Sequence, residues 1–410
     1  MTNLPQGWEV KKLGDIAEIQ IGKTPSRNNI DFFQGENIWL SIRDLKSKFV
    51  SSSSEKISNE AISKTNMKVV PKGTLLMSFK LTLGKTAFAE CDLYTNEAIA
   101  AIFIKNKNIN KYFLDYVLKF TDLEKYVDNA VKGKTLNKQK LKQIEILLPK
   151  NIKEQERIVG ILDESFAKID ESIKILEQDL LNLDELMQSA LQKAFNPLKD
   201  NAKENYKLPQ GWEWKSLGEI SNLIQNGFAA SKNNEIPSGY VHLRTHNIST
   251  DGNLNFDTLI KIKREFIKEK QSFIEKNDIL FNNTNSTELV GKTALVTQNY
   301  NYAFSNHLTK IKLKNQYNSK LVVFYFVLLL KNKYFEKICH QWIGQSGINI
   351  DKLKKIQIPL PPLKEQEQIT SHLDELSSHV KNLKQNYQAQ IKDLQELKNS
   401  LLDKAFKGNL

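Results

Sequence analysis

Two tripeptides in this 410-residue chain, Gly84-Lys85-Thr86 and Gly291-Lys292-Thr293, have the residue types that cradle a phosphate. A phosphate loop of the form GxxxxGK[ST] needs another glycine five residues earlier. Phe79 and Ser286 stand there, so both tripeptides read as turns of β-hairpins instead. No GxGxxG follows a strand pattern, which removes the usual dinucleotide fingerprint. The six histidines, His242, His246, His307, His340, His372 and His379, contain no HExxH and no paired metal spacing. His372 and His379 share a helical face, but Ile161 and Lys168 occupy the matching places in the first half of the chain. The two cysteines, Cys91 and Cys339, are far apart and suggest neither a disulfide framework nor a zinc site. Eight carboxylates on two long helical segments (Glu154, Glu156, Asp163, Glu164, and Glu365, Glu367, Asp374, Glu375) read as solvated or partner-facing groups, not as an acid–base pair. No catalytic constellation emerges, and the chain reads as a non-enzyme with no metal site of its own.

The elements that could position other chemistry are repeats. Residues 153–195, KEQERIVGILDESFAKIDESIKILEQDLLNLDELMQSALQKAF, align without a gap to KEQEQITSHLDELSSHVKNLKQNYQAQIKDLQELKNSLLDKAF at an offset of 211. In the first copy Leu162, Phe166, Ile169, Ile173, Leu176, Leu180, Leu183, Met187, Ala190 and Ala194 alternate at spacings of 4 and 3, a heptad seam. In the second, Ile369, Leu373, Leu376, Val380, Leu383 and Tyr387 keep the alternation. Ile391 and Leu394 then follow after one extra residue, a stutter. A helix of this length with one narrow apolar stripe needs a partner. The expected solution is an antiparallel coiled coil of the two copies with pseudo-twofold symmetry, its length acting as a ruler between the segments at its ends.

A second repeat precedes each helix. LPQGWEVKKLGDI at residues 4–16 returns as LPQGWEWKSLGEI at an offset of 204. Between the repeats the order of landmarks is kept. Residues 39–45, carrying Arg43, match residues 240–244, carrying Arg244, as strands; residues 72–76 match 276–280, and residues 83–87 match 290–294. The reading is α+β: two repeated α/β-mixed globular domains, each followed by a long helix. The segments expected are domain 1 at 1–150, a central helix at 151–196, a polar linker at 197–207, domain 2 at 208–362 and a C-terminal helix at 363–407, with prolines marking both helix entries.

The formal net charge is +12. The two helical copies hold 12 basic and 17 acidic residues, so they sum to −5 and the remainder of the chain to +17. The globular parts therefore have the electrostatic footprint of a polyanion binder, or a basic surface that binds acidic proteins around a coiled-coil scaffold. The longest apolar run, residues 321–330, is too short to span a bilayer and reads as a buried helix. The first ten residues lack the pattern of a signal peptide, and unpaired cysteines fit a reducing cytoplasm.

The LPQGW phrases with Leu13-Gly14 and Leu217-Gly218, the stretch Gly22-Lys23-Thr24-Pro25-Ser26, the run 359–367 (PLPPLKEQE) and the matched helix ends carry a resemblance. The chain resembles the specificity subunit of type I restriction-modification systems over essentially its whole length. It departs from the pattern at the first helix entry, LLPKNIKEQE, and in the second half, where Phe228-Ala229-Ala230-Ser231 replaces Thr24-Pro25-Ser26. The resemblance implies a DNA-reading subunit without catalysis, in which each globular part is a target recognition domain for one half of a bipartite double-stranded DNA site. It further implies that the paired helices dock two methyltransferase subunits, that restriction and motor subunits join that core, and that S-adenosylmethionine, ATP and Mg are bound by those partners. No membrane is involved. A pseudo-twofold reader should place its half-sites roughly 10 bp apart. Under this reading the candidates for DNA contact are Arg27, Arg43, Lys80, Thr82 and Lys85 in domain 1, with Arg244, Asn247, Asn282, Asn285, Ser286 and Lys292 in domain 2. Arg and Asn can pair with guanine and adenine edges, and Lys more often meets phosphate.

Overall fold

The protein is described by a computed structural model covering residues 4–127, 135–195, 208–267 and 273–410. The expected linker at 197–207 lies outside these residues. The chain divides into two compact units, Met1–Leu176 with Ala389–Leu410, and Glu177–Gln388. Each unit holds one globular domain, part of the central helix Ile152–Phe195 and part of the C-terminal helix Leu363–Phe406.

In the first unit a five-stranded sheet runs in the order Ala17–Ile21, Ile99–Ile104, Leu75–Ser78, Thr86–Ala89 and Phe49–Val50. All its pairings are antiparallel except the last. The central strands are apolar on both faces, and their residues are all buried. A smaller sheet pairs Asn37–Leu40 with Glu55–Ile57 and, in parallel, with Tyr94–Thr95. The LPQGW phrase leads into the strand Trp8–Lys12, which pairs with Glu145–Pro149 at the foot of the central helix.

The second unit repeats this plan. A four-stranded antiparallel sheet runs Ser221–Asn226, Leu308–Leu313, Ile279–Asn282, Thr293–Leu295. The strand Glu235–Leu243 pairs in parallel with Ala303–Phe304, and Glu213–Ser216 pairs with Gln357–Leu360. The apolar run 321–330 forms the buried helix Ser319–Lys331, whose N-terminal amides are capped by the Asn318 side chain.

The helices pack antiparallel within each unit. In the first, Arg157 donates to the Leu410 carbonyl and Lys398 to Asp170, so the sequence separation of partners falls from 253 to 228 along the pair. In the second, Lys384 meets Asp184 at 2.7 Å. Leu162, Ile169 and Leu183 are buried, and Phe166, Ile173, Leu176 and Leu180 half-buried, as the heptads require. On the C-terminal helix Leu373 and Val380 are buried, and Leu376, Tyr387, Ile391 and Leu394 half-buried. Leu383 is a correction: it is 40% exposed, and Lys384 turns inward in its place. The extra residue of the stutter thus falls between Val380 and Lys384, not between Tyr387 and Ile391. A hydrophobic pattern skips this step because a lysine can line a seam with its stem while its ammonium reaches a carboxylate on the facing helix. Lys398 does the same, lying 5.2 Å from the Phe166 ring centre and pairing with Asp170.

Candidate nucleic-acid interface

Each helix is fixed to its domain by the glutamine of KEQE. Gln155 is fully buried; its amide accepts from the Asn110 backbone N–H at 2.8 Å and donates to the carbonyls of Asn108 and Pro149. Gln366, 3% exposed, accepts from the Asn318 N–H at 3.1 Å and donates to the Pro361 carbonyl at 2.8 Å. A carboxylate about two turns further along adds a second tie. Asp163 accepts from Lys48 and from the Tyr116 hydroxyl, a contact that together with burial raises the Tyr116 pKa. Its counterpart Asp374 pairs with Lys320 at 2.5 Å. These acids are therefore clasps between helix and domain and not simply solvated groups. The sequence signal for the glutamines was their repetition at 155 and 366, which hydrophobic patterning does not weigh.

The second shared frame is a loop at one end of each main sheet. In domain 1 the loop between Leu75–Ser78 and Thr86–Ala89 is fixed by four backbone bonds. Ser78 N–H donates to Lys85, Gly84 to Ser78, Phe79 to Ala98, and Leu136 to Phe79. In domain 2 the same four bonds run from Asn282 to Lys292, Gly291 to Asn282, Asn283 to His307, and Ile348 to Asn283. Gly84 and Gly291 have φ of +77° and +95°, the left-handed turn position that glycine fills without strain, so the Gly-Lys-Thr tripeptides are hairpin turns. The second loop is three residues longer and contains a short strand, Thr284–Asn285.

On these matching frames the side chains differ. Domain 1 places Lys80, Leu81, Thr82 and Lys85 on the loop, with Leu81, Thr82 and Lys85 exposed. Domain 2 anchors its loop through Asn283, 6% exposed, whose amide donates to Asn226, Thr309 and the Asn306 carbonyl. Asn285 and Ser286 are half-buried on the rim. Phe79 fills the place of Asn283 in domain 1. Sequence reasoning missed Asn283, which is one asparagine in a run of polar residues.

Three of the candidate contacts lie in the interior and are corrected. Lys292 is 7% exposed, and its ammonium donates to the carbonyls of Thr245 and Ile248 at 2.9 and 2.6 Å; burial lowers its pKa. Asn247 is 1% exposed and caps its own turn, accepting from the Arg244 N–H and donating to the carbonyls of Asn255 and Thr258. Asn282 is fully buried at the strand end. Each sits where the polar side chain completes the loop's own backbone bonding, so none of the three is free to meet a base.

The two arginines are not equivalent either. The strand Asn37–Leu40 stops before Arg43, because Asp44 caps a 3₁₀ turn by accepting from the Ser41 N–H at 2.8 Å. Asn247 does the same for Arg244, so Arg244 matches Ser41 and not Arg43. Arg43 is exposed and makes no hydrogen bond or ion pair among the described residues. Arg244 is half-buried, with Nη2 donating to the Ala230 carbonyl and lying 3.7 Å from Glu235. Arg27 stacks 4.3 Å over the Phe33 ring and engages both oxygens of Glu55, whose carboxyl is thereby held below its ordinary pKa. Arg27 and Arg43 belong to the smaller sheet and its turns, apart from the 79–85 loop.

Two copies of this frame, each tied to a long helix, invite comparison with known proteins. The family model for the type I restriction modification DNA specificity domain matches residues 5–180 and 209–393. The chain belongs to the type I restriction-modification specificity family. The type I restriction enzyme MjaIX specificity subunit of Methanocaldococcus jannaschii is 25% identical over 99% of this chain and 94% of its own length. The EcoKI specificity subunit of Escherichia coli K12 is 22% identical over 99% and 90%. Among solved structures, a chain from work on complex assembly and conformational transition of the type I R-M system aligns over 100% of both chains with a TM-score of 0.80 at 19% identity. The HsdS subunit of Thermoanaerobacter tengcongensis aligns over 99% and 98% with a TM-score of 0.56 at 20% identity. As in this family, the chain has two repeated domains. Among the described residues no helix is long and apolar enough to cross a membrane.

Proposed function

We propose that this chain is a specificity subunit that reads a bipartite double-stranded DNA sequence, one part per domain, and delivers it to methyltransferase subunits docked on its helices. The observation that carries the reading is the pair of loops at 79–85 and 283–292, which share four backbone hydrogen bonds and differ in the side chains they present. A common frame with different donors suits two different base sequences. The excess of positive charge on the globular parts supports the same partner, since phosphate contacts supply most of the sequence-independent affinity. Arg43, Lys80, Thr82 and Lys85 in domain 1, with Asn285 and Ser286 in domain 2, are the contacts the surface offers. Arg27 and Arg244 contribute only after giving up their present partners.

The chain itself supplies recognition; methyl transfer and cleavage, with S-adenosylmethionine, ATP and Mg, belong to the methyltransferase and restriction subunits, and the place of action is the cytoplasm. Two repeated helix–domain junctions suit two copies of one methyltransferase. The test is to reconstitute the chain with its methyltransferase and map the modified motifs in exposed DNA. Two short specified blocks separated by unspecified bases are expected; a single continuous motif, or none, contradicts the reading.

A further inference from the structure

We propose that each domain carries one aliphatic wedge that enters the DNA stack beside the bases it reads: Leu81 in domain 1 and Ile343 in domain 2. The inference rests on the DNA-reading function above and adds to it a mode of distortion. Leu81 is 76% exposed and Ile343 fully so. A single exposed aliphatic residue is ordinary on any surface, and what sets these two apart is where and how they are held.

Leu81 follows Lys80, which bridges to Thr135 at the edge of the loop frame. Its φ of +62° is left-handed, a conformation that leucine rarely adopts. The loop imposes it: Thr82 N–H donates to the Lys80 carbonyl at 2.7 Å, and the Ser78 hydroxyl donates to the Thr82 carbonyl at 2.6 Å. The turn thus holds a leucine outward between a lysine and a threonine.

Ile343 stands at the tip of a hairpin, His340–Trp342 with Gln345–Gly347, whose turn is completed by Gly344 at φ +83°. The second strand of that hairpin, Gln345–Gly347, lies between the first and Thr284–Asn285 of the loop frame and pairs with both, and Thr287 bonds Ser346 at 2.8 Å. The tip is buttressed by Trp342. Its ring lies so close over Gly347 that a Cβ there would meet it at 2.8 Å, and the His340 ring packs edge-on at 4.7 Å. Each aliphatic tip is therefore on a rigid mount continuous with the candidate reading edge.

The surroundings favour a base stack over a protein partner. A protein-binding patch is a contiguous apolar area, whereas Leu81 lies between Lys80 and Thr82, and the Ile343 hairpin joins a strand of Thr and Asn. An aliphatic side chain framed by a lysine and a threonine in domain 1, and one beside the half-exposed Trp342 ring on a Thr- and Asn-bearing edge in domain 2, have the chemistry of residues that insert between base pairs and unstack them.

The experiment uses the assembled complex of the full chain with its methyltransferase, on a duplex bearing the mapped target, and reads permanganate reactivity of thymines placed at each step in turn. Wild-type protein is expected to create one hyperreactive step in each half-site. Leu81→Gly, which suits the left-handed backbone, should return only the domain 1 step to the level of free duplex. Ile343→Ser should do so only in the other half-site. Reactivity that survives both substitutions belongs to the base being modified, and if that is the only reactivity seen, the wedge is wrong. Specific binding with no unstacked step also overturns the wedge while leaving the DNA-reading function intact; absence of any specific binding overturns both. Loss of methyltransferase assembly by Ile343→Ser, without a change in reactivity, assigns the tip to a protein contact and overturns the proposal for domain 2.

Discussion

The KEQE clasps and the loop edges are both repeated structures, yet they have diverged in opposite ways. At the clasp, Gln155 and Gln366 keep the same side chain because it completes a fixed set of backbone groups around the helix entry. At the edge, the backbone bonds are the same and the side chains that reach the surface differ, Leu81 and Thr82 against Asn285 and Ser286. A residue that satisfies its own protein has few alternatives; a residue that faces a ligand is free to follow the ligand. The comparison therefore separates the side chains that build this fold from those that the fold leaves free to vary.

The largest effect should come from the clasp. Gln155→Ala leaves one N–H and two carbonyls without partners, each worth about 1–3 kcal/mol when buried, and should destabilise domain 1 by about 4 kcal/mol in urea unfolding. Gln366→Ala, with two bonds lost, should cost domain 2 less. Near-neutral effects at both positions would remove the clasp from the comparison.

The second effect distinguishes the domains by pH. His242 is fully buried, and burial, aided by the charge of Arg244, pushes its pKa down to about 4. Between pH 6.5 and 4 the unfolded imidazole takes up a proton that the folded one refuses, so stability falls as pH falls through that window, by up to about 3 kcal/mol. Residues 1–150 contain no histidine. Pulsed hydrogen exchange with mass spectrometry during urea unfolding at pH 7 and pH 5 should show this loss in domain 2, and His242→Gln should abolish it there.

Smaller effects test the candidate DNA contacts, at the loop edge and on the smaller sheet. Arg43→Ala should weaken discrimination in the first half-site by about 2 kcal/mol and leave the second unchanged, measured by competition between single-base target variants. Lys85→Ala should reduce the slope of log affinity against log salt by about 1. Lys292→Met should leave that slope unaltered, because the ammonium is bound inside the domain.

The sequence made the architecture readable because the repeats are long and their periods distinct. The heptads located both helices, and the LPQGW and KEQE phrases marked where the repeated segments recur. Leu383 was misread because a heptad template does not score lysine, whereas Lys384 and Lys398 fill the seam with their stems. The contact residues were less legible. Polarity in a loop cannot distinguish Asn285, on the rim, from Asn282 and Asn247, which turn inward to complete backbone bonding. Lys292 looked like a phosphate ligand beside Gly291 because sequence does not show that its ammonium reaches two carbonyls 44 and 47 residues away.

The central claim is that the two domains are separate readers built on one frame. Its most direct test is to exchange residues 1–150 for those of a relative with a different target, reconstitute the methyltransferase complex, and map the modified motif. The account predicts that one half of the motif takes the relative's sequence while the other stays as it was; a motif in which both halves change together would contradict it.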